Sequence, residues 1–244
     1  MIIKTAYSSL AGPEDWFIEK DREFDLLAEK LVLALPRVME LVEKTHVGQR
    51  RLDGSDVIEH LKKVAISSEN LAEFFYENSE SVYERHYNAL ICKFSALLHE
   101  VMPYSGASYE TIAAVSDKTV ADCVSALTPM MHEPFGVRIE LLVNRVRRCG
   151  AVAQIVKVAD LVNDGVMLDK LIDNGGGVLN MFETVQKYIV ELEAFLKNLH
   201  HIEKHHHVKS ITARFHLLLN KLYVYVETIN NNTPKKSSKR KQLT

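Results

Sequence analysis

Phe94-Ser95-Ala96-Leu97-Leu98-His99-Glu100-Val101-Met102 is an apolar run that ends in an imidazole beside a carboxylate. Phe94, Leu97, Leu98 and Val101 recur at helical spacing, so one face of the segment is buried. His99 and Glu100 then sit at the edge of a core helix, where an unpaired charge is expensive. A bound cation is one reason to keep such a pair. A buried histidine beside a solvated glutamate is the plainer reading. Adjacent side chains on a helix diverge by about 100°, so both reach one ion only if it lies at the helix edge.

Upstream, the central helix is expected to begin near Val82, and Pro103 is expected to stop it. Before it, Gly48 and Gly54 mark a loop, and Ser55 or Asp56 caps a helix starting near Val57 with His60 one turn in. An earlier helix spans Asp21 to about Leu35, where Pro36 interrupts it and opens another through Val38 and Val42 toward His46. Residues 1–20 read as an irregular lead-in.

Downstream, Ser108 to Val115 reads as a short helix, Ser116-Asp117 caps another, and residues 128–136 form a surface connection with two prolines. A basic helix over 137–149 carries Arg138, Arg145 and Arg147. Ala151 to Leu171 is the most apolar helix, with Asp160 in its middle. Gly175-Gly176-Gly177 breaks the chain, and amphipathic helices over about 178–200 and 208–229 close it. Only Leu222-Tyr-Val-Tyr-Val alternates with period two, and it reads as the end of a helix. The fold class is all-α, a helical bundle with extra C-terminal helices.

The 244 residues are 47% apolar and 25% charged, an ordinary globular composition. No apolar run approaches the roughly 20 residues of a membrane span, and the polar N-terminus lacks a signal-peptide pattern. Cys92, Cys123 and Cys149 are odd in number and widely spaced, which points to a reduced, cytoplasmic interior. Net charge is −2, yet residues 235–241 hold five cations. The remainder has 25 bases against 32 acids, or −7. An acidic body argues against a broad nucleic-acid face, and residues 230–244 read as a basic disordered tail.

Chemistry concentrates on three core helices, at His60, His99-Glu100 and Asp160. An isolated ionised Asp160 among Ile155, Val156, Val158 and Val162 would cost several kcal/mol or shift its pKa. Two imidazoles and two carboxylates converging from three helices would make a mixed nitrogen–oxygen site for Mn²⁺, Fe²⁺ or Zn²⁺. Such an ion acidifies a bound water and so supports phosphoester hydrolysis.

The run His46-x-Gly48-Gln49-x-Arg51-x-x-Gly54, followed by His60, resembles the opening of the RelA/SpoT-type hydrolase domain, a branch of the HD phosphohydrolases. Ala96-Leu-Leu-His99-Glu100, Ser108-Tyr-Glu-Thr-Ile, Val120 to Thr128, and Ile155-Val-Lys157-Val-Ala-Asp160 follow in the same order. The resemblance covers about residues 40–170. It implies an HD-like bundle over 1–172, a helical extension over 173–229, and removal of the 3′-pyrophosphate from (p)ppGpp, the alarmone of the stringent response. It further implies Mn²⁺ on His60, His99, Glu100 and Asp160, with Arg51 and Asp164 at the nucleotide.

This chain departs from that pattern. Glu100 stands where the family has Asp and reaches one methylene further. Leu52 and Asp53 replace a usual Lys-Ser. Pro103 and Tyr104 replace a Glu-Asp pair that positions and activates water, and neither can act as a carboxylate base. Beyond Asp160, Leu161 and Asp164 stand where Arg and Asn are usual. An altered substrate, or a regulatory module that binds metal or nucleotide without turnover, is the alternative reading.

His200-His-Ile-Glu-Lys-His205-His-His207 reads as a solvated joint between helices, able to bind Zn or Ni adventitiously. Arg138, Arg145 and Arg147 are candidates to reach phosphates, or a basic solvated face. Leu179, Phe182, Val185 and Ile189 either cover the core or form a homodimer contact.

Overall fold

Helix α1 runs unbroken from Pro13 to His46 in the computed structural model, which describes residues 13–175, 181–199 and 201–232. The expected lead-in is therefore helical from Pro13 on, and Pro36 does not split the helix. Pro36 faces solvent, as does Val32, whose carbonyl loses its partner, so water can satisfy that group. Meanwhile Ala28, Leu31, Ala34, Val38 and Val42 form one buried stripe on both sides of the proline. Packing of that stripe outweighs one missing hydrogen bond. The expected basic tail over 235–241 and Gly176, Gly177, Leu179 and His200 lie outside the described residues.

The remaining helices follow as α2 (Val57–Phe75), α3 (Val82–Leu98), α4 (Val101–Ser105), α5 (Tyr109–Val115) and α6 (Lys118–Leu127). Then come α7 (Phe135–Cys149), α8 (Ala151–Asp173), α9 (Met181–Leu196) and α10 (His206–Asn232). Among the described residues there is no strand, and no helix is long and apolar enough to cross a membrane. The all-α expectation holds.

Local chemistry sets most boundaries. Asp56, Ser81, Ser108 and Asp117 each accept a hydrogen bond from a backbone N–H in the first turn of the helix they precede. Ser81 also donates to Asp21 and so ties α3 to α1. Gly150 alone separates α7 from α8, at φ 101° and ψ −159°, a region essentially closed to residues with a Cβ.

Helix α3 ends at Leu98, short of Pro103. A proline ring collides with the carbonyl four residues back, here that of His99, so the chain turns at His99-Glu100 and restarts as α4 with Pro103 in its first turn. Unlike α1, the segment has no long buried stripe beyond the proline to hold it straight. Gly106 closes α4 in the left-handed region, at φ 68°.

Two helical segments are buried on all sides. From Ala89 to His99 only Lys93 keeps partial exposure, and every residue from Ala153 to Leu161 is buried. These parts of α3 and α8 are the centre of the bundle, with α1 and α2 against α3 and α2 also against α8. Helices α9 and α10 pack on α8. Tyr188 donates to the Leu161 carbonyl at 2.7 Å. At Gly165 a Cβ would meet Tyr188 Oη at 2.5 Å and Leu218 Cδ2 at 2.6 Å, so only glycine fits that crossing without movement. Val185 and Ile189 are buried within the chain, so this face of α9 covers the core.

Candidate metal centre

The polar positions on those all-round-buried segments meet one another. His99 caps the end of α3, and Asp160 lies in the middle of α8. His60 enters from the first turn of α2. Asp160 Oδ1 is 3.3 Å from His60 Nε2 and 3.5 Å from His99 Nε2. Each of the three side chains is less than a tenth exposed. The ligand atoms of His60, His99 and Glu100 lie within 4.8 Å of one another, as do those of His60, Asp160 and Asp164. His99 and Glu100 both keep right-handed helical backbone angles, and at the helix end their ligand atoms still reach the same neighbourhood around His60.

Hydrogen bonding fixes the chemistry of His99. Its Nδ1–H donates to the Ala96 carbonyl at 2.7 Å, which leaves Nε2 to face Asp160. That Nε2 is buried and makes no hydrogen bond. Two atoms bound to one ion at about 2.0–2.2 Å lie roughly 2.8–3.6 Å apart from octahedral to tetrahedral geometry, a range that includes the spacings found here. An orphaned buried nitrogen, a second imidazole and a carboxylate at ligand spacing fit a divalent transition cation.

Charge is balanced from the other side. Lys157, one turn before Asp160, donates to Asp160 Oδ2 at 2.9 Å and lies 2.6 Å from Glu191 Oε1 on α9. Burial alone would lower the Lys157 pKa, but Asp160 and Glu191 more than offset that and raise it. Burial likewise pushes His99 down, while Asp160 chiefly and then Glu100 lift it to about 9. Asp160 is burdened by burial too, yet Lys157 and His99 hold its carboxyl well below the ordinary range.

Arg51, from the loop before α2, pairs with Asp164 on α8. Burial first, then the neighbouring Asp160, lifts Asp164 to about 6. All six residues named from the sequence, His60, His99, Glu100, Asp160, Arg51 and Asp164, therefore gather at one place.

Pro103 and Tyr104 do not add a carboxylate there. The Tyr104 ring is 61% exposed and stands edge-on to His46, with centroids 5.7 Å apart. Arg145 is engaged elsewhere, donating to the carbonyls of Ser125 and Thr128 at the end of α6. Arg138 lies over the Phe135 ring and Arg147 donates to Asn144. Glu191 was not among the residues expected at the site. Nothing local marks it, because it reaches the centre through Lys157 on another helix.

Comparison with known proteins finds no matching family model and no matching curated protein. Among solved structures, the chain is similar to a metazoan ortholog of SpoT, described as hydrolysing ppGpp and playing a role in starvation responses. The TM-score is 0.50 over 79% of this chain and 94% of that one, at 14% sequence identity. At that identity the likeness shows the fold, an all-α bundle of the same type.

Proposed function

We propose that the chain is a metal-dependent phosphohydrolase acting on a nucleotide of the guanosine 3′,5′-bis(diphosphate) type. The observation that carries this reading is the buried Nε2 of His99, which makes no hydrogen bond of normal geometry and faces the Asp160 carboxylate beside His60. His60, His99, Glu100 and Asp160 would hold the ion, with Mn²⁺ proposed as its identity. Once bound, a divalent cation supplies Lewis-acid stabilisation of a phosphoryl group and acidifies water. Lys157 orients Asp160 by holding Oδ2, so that Oδ1 faces the imidazoles. Arg51 would meet the phosphates. Residues 1–172 would form the catalytic domain and 173–229 an extension whose Glu191 supports it through Lys157. A cytoplasmic setting and a small-molecule partner go with this reading.

A second reading is a module that binds metal or nucleotide in a regulatory role without turnover. The Arg51–Asp164 pair favours it, because the cation proposed for the phosphates is already neutralised. So does the absence of a carboxylate at Pro103 and Tyr104.

Incubation with Mn²⁺ and a panel of nucleotides, guanosine 3′,5′-bis(diphosphate) first, separates the two. The enzyme reading expects pyrophosphate or phosphate release that is lost in His99→Ala. Nucleotide binding without release from any member of the panel establishes the second reading instead.

A further inference from the structure

The histidine run at the start of α10 meets the C-terminal end of α2. Glu77, two residues past the end of α2, places Oε1 3.9 Å from His205 Nε2. One ligand atom each from Glu77, His205 and His206 lies within 4.8 Å of the others. His205 is not a solvated surface group. Its side chain is 13% exposed, its ring lies 5.4 Å from that of Phe75, and neither ring nitrogen makes a hydrogen bond of normal geometry. His207 covers Phe74 instead, with ring centroids 4.4 Å apart.

We propose that Glu77, His205 and His206 form a second metal site, for Zn²⁺, that clips the end of α2 to the start of α10. Two imidazoles and one carboxylate, with a position left for water, suit that ion. Tetrahedral ligands lie about 3.3 Å apart, so the three groups must draw together by roughly 1 Å. Glu77 and His206 are exposed and free to rotate inward while His205 stays packed. The partial negative charge at the α2 C-terminus favours a cation and the α10 N-terminus opposes it, so the Glu77 carboxylate decides the balance. The site lies apart from the His60 centre and does not depend on the hydrolase reading. Its consequence is mechanical, since α2 carries His60 and α10 belongs to the C-terminal helices.

Zn²⁺ is titrated into the full-length chain by calorimetry and thermal melting, in wild type, Glu77→Gln and His205→Gln/His206→Gln. The expected result is a Zn²⁺-dependent rise in Tm that persists in His99→Ala and is reduced in both variants by the share of this site, with affinity at this site falling more than about tenfold in Glu77→Gln. Glu77 is exposed and outside the core, so its variant stays readable even if the double histidine variant unfolds. Wild-type affinity in Glu77→Gln would show adventitious binding by the histidine run alone and would overturn the proposal. So would an unchanged Zn²⁺ stoichiometry in the histidine variant. His99→Ala removes the other ion and leaves this one, so the two sites fail separately.

Discussion

Arg51 in the loop before α2 donates to Asp164 on α8, 113 residues further along the chain. The pair is partly buried, with side chains 14% and 31% exposed, and it lies beside the carboxylate of Asp160. It holds the loop against the bundle and, on the proposed function, would set the charge that a nucleotide meets.

Asp164→Asn keeps the shape and removes the charge, so Arg51 becomes available to phosphate. Guanosine 3′,5′-bis(diphosphate) should bind several-fold more tightly to this variant by calorimetry. In the native chain Asp164 titrates at about 6, so it is ionised at pH 7 and neutral at pH 5. Nucleotide binding should therefore tighten as pH falls between those values, and that trend should be absent in Asp164→Asn. Weaker binding by the variant would show that Asp164 itself contacts the ligand.

Metal affinity carries the opposite pH dependence. His99 is protonated in the metal-free protein below about 9, and a ligand nitrogen must be deprotonated. Mn²⁺ binding at the proposed site would therefore displace a proton. Affinity should rise about tenfold per pH unit from 7 toward 9 and then level off. Metal-free stability runs the other way. A histidine raised above its unfolded value contributes most below about 6.5, and that contribution is lost as pH rises through about 9. Thermal melts with and without Mn²⁺ across this range check both signs.

Lys157→Met leaves Asp160 Oδ2 without the ammonium and Glu191 without its partner. Breaking a buried pair in this way costs about 3–5 kcal/mol, seen as a lower urea midpoint. Mn²⁺ should recover part of the loss by supplying charge to Asp160. Glu191→Gln should cost less, because Glu191 is 22% exposed and water replaces part of the interaction.

Pro103→Glu/Tyr104→Asp restores carboxylates where the resembled hydrolases carry them. Both positions lie at least partly exposed on α4, so the fold accommodates the change. General-base help is worth about 10²–10⁴-fold, and turnover of the nucleotide should rise within that range. An unchanged rate in a folded variant would place these positions away from the reacting water.

Several features of this site were legible before any coordinates. His60, His99, Glu100 and Asp160 stood out because polar groups on apolar helices need partners, and Asp56, Ser108 and Asp117 announced helix starts. The prolines were harder to read. Pro36 sits inside α1 and Pro103 breaks the chain four residues upstream of itself, at His99. Local preference is the same in both cases, and the length of the buried stripe beyond the proline decides. Long-range pairs were harder still. The resemblance brought Arg51 and Asp164 to one site without pairing them, and Lys157–Glu191 and Glu77–His205 left no trace, because periodicity carries no information about which charged groups meet across separate elements.

On the proposed function, one ion sits where α2, α3 and α8 converge. Anomalous diffraction at the manganese edge, from crystals of the chain grown with Mn²⁺, locates it. A single peak is expected there, within about 2.0–2.3 Å of His60 Nε2, His99 Nε2 and an Asp160 carboxylate oxygen, with Glu100 completing the set. No peak at that position, with His99 Nε2 still resting against Asp160, would overturn the metal site.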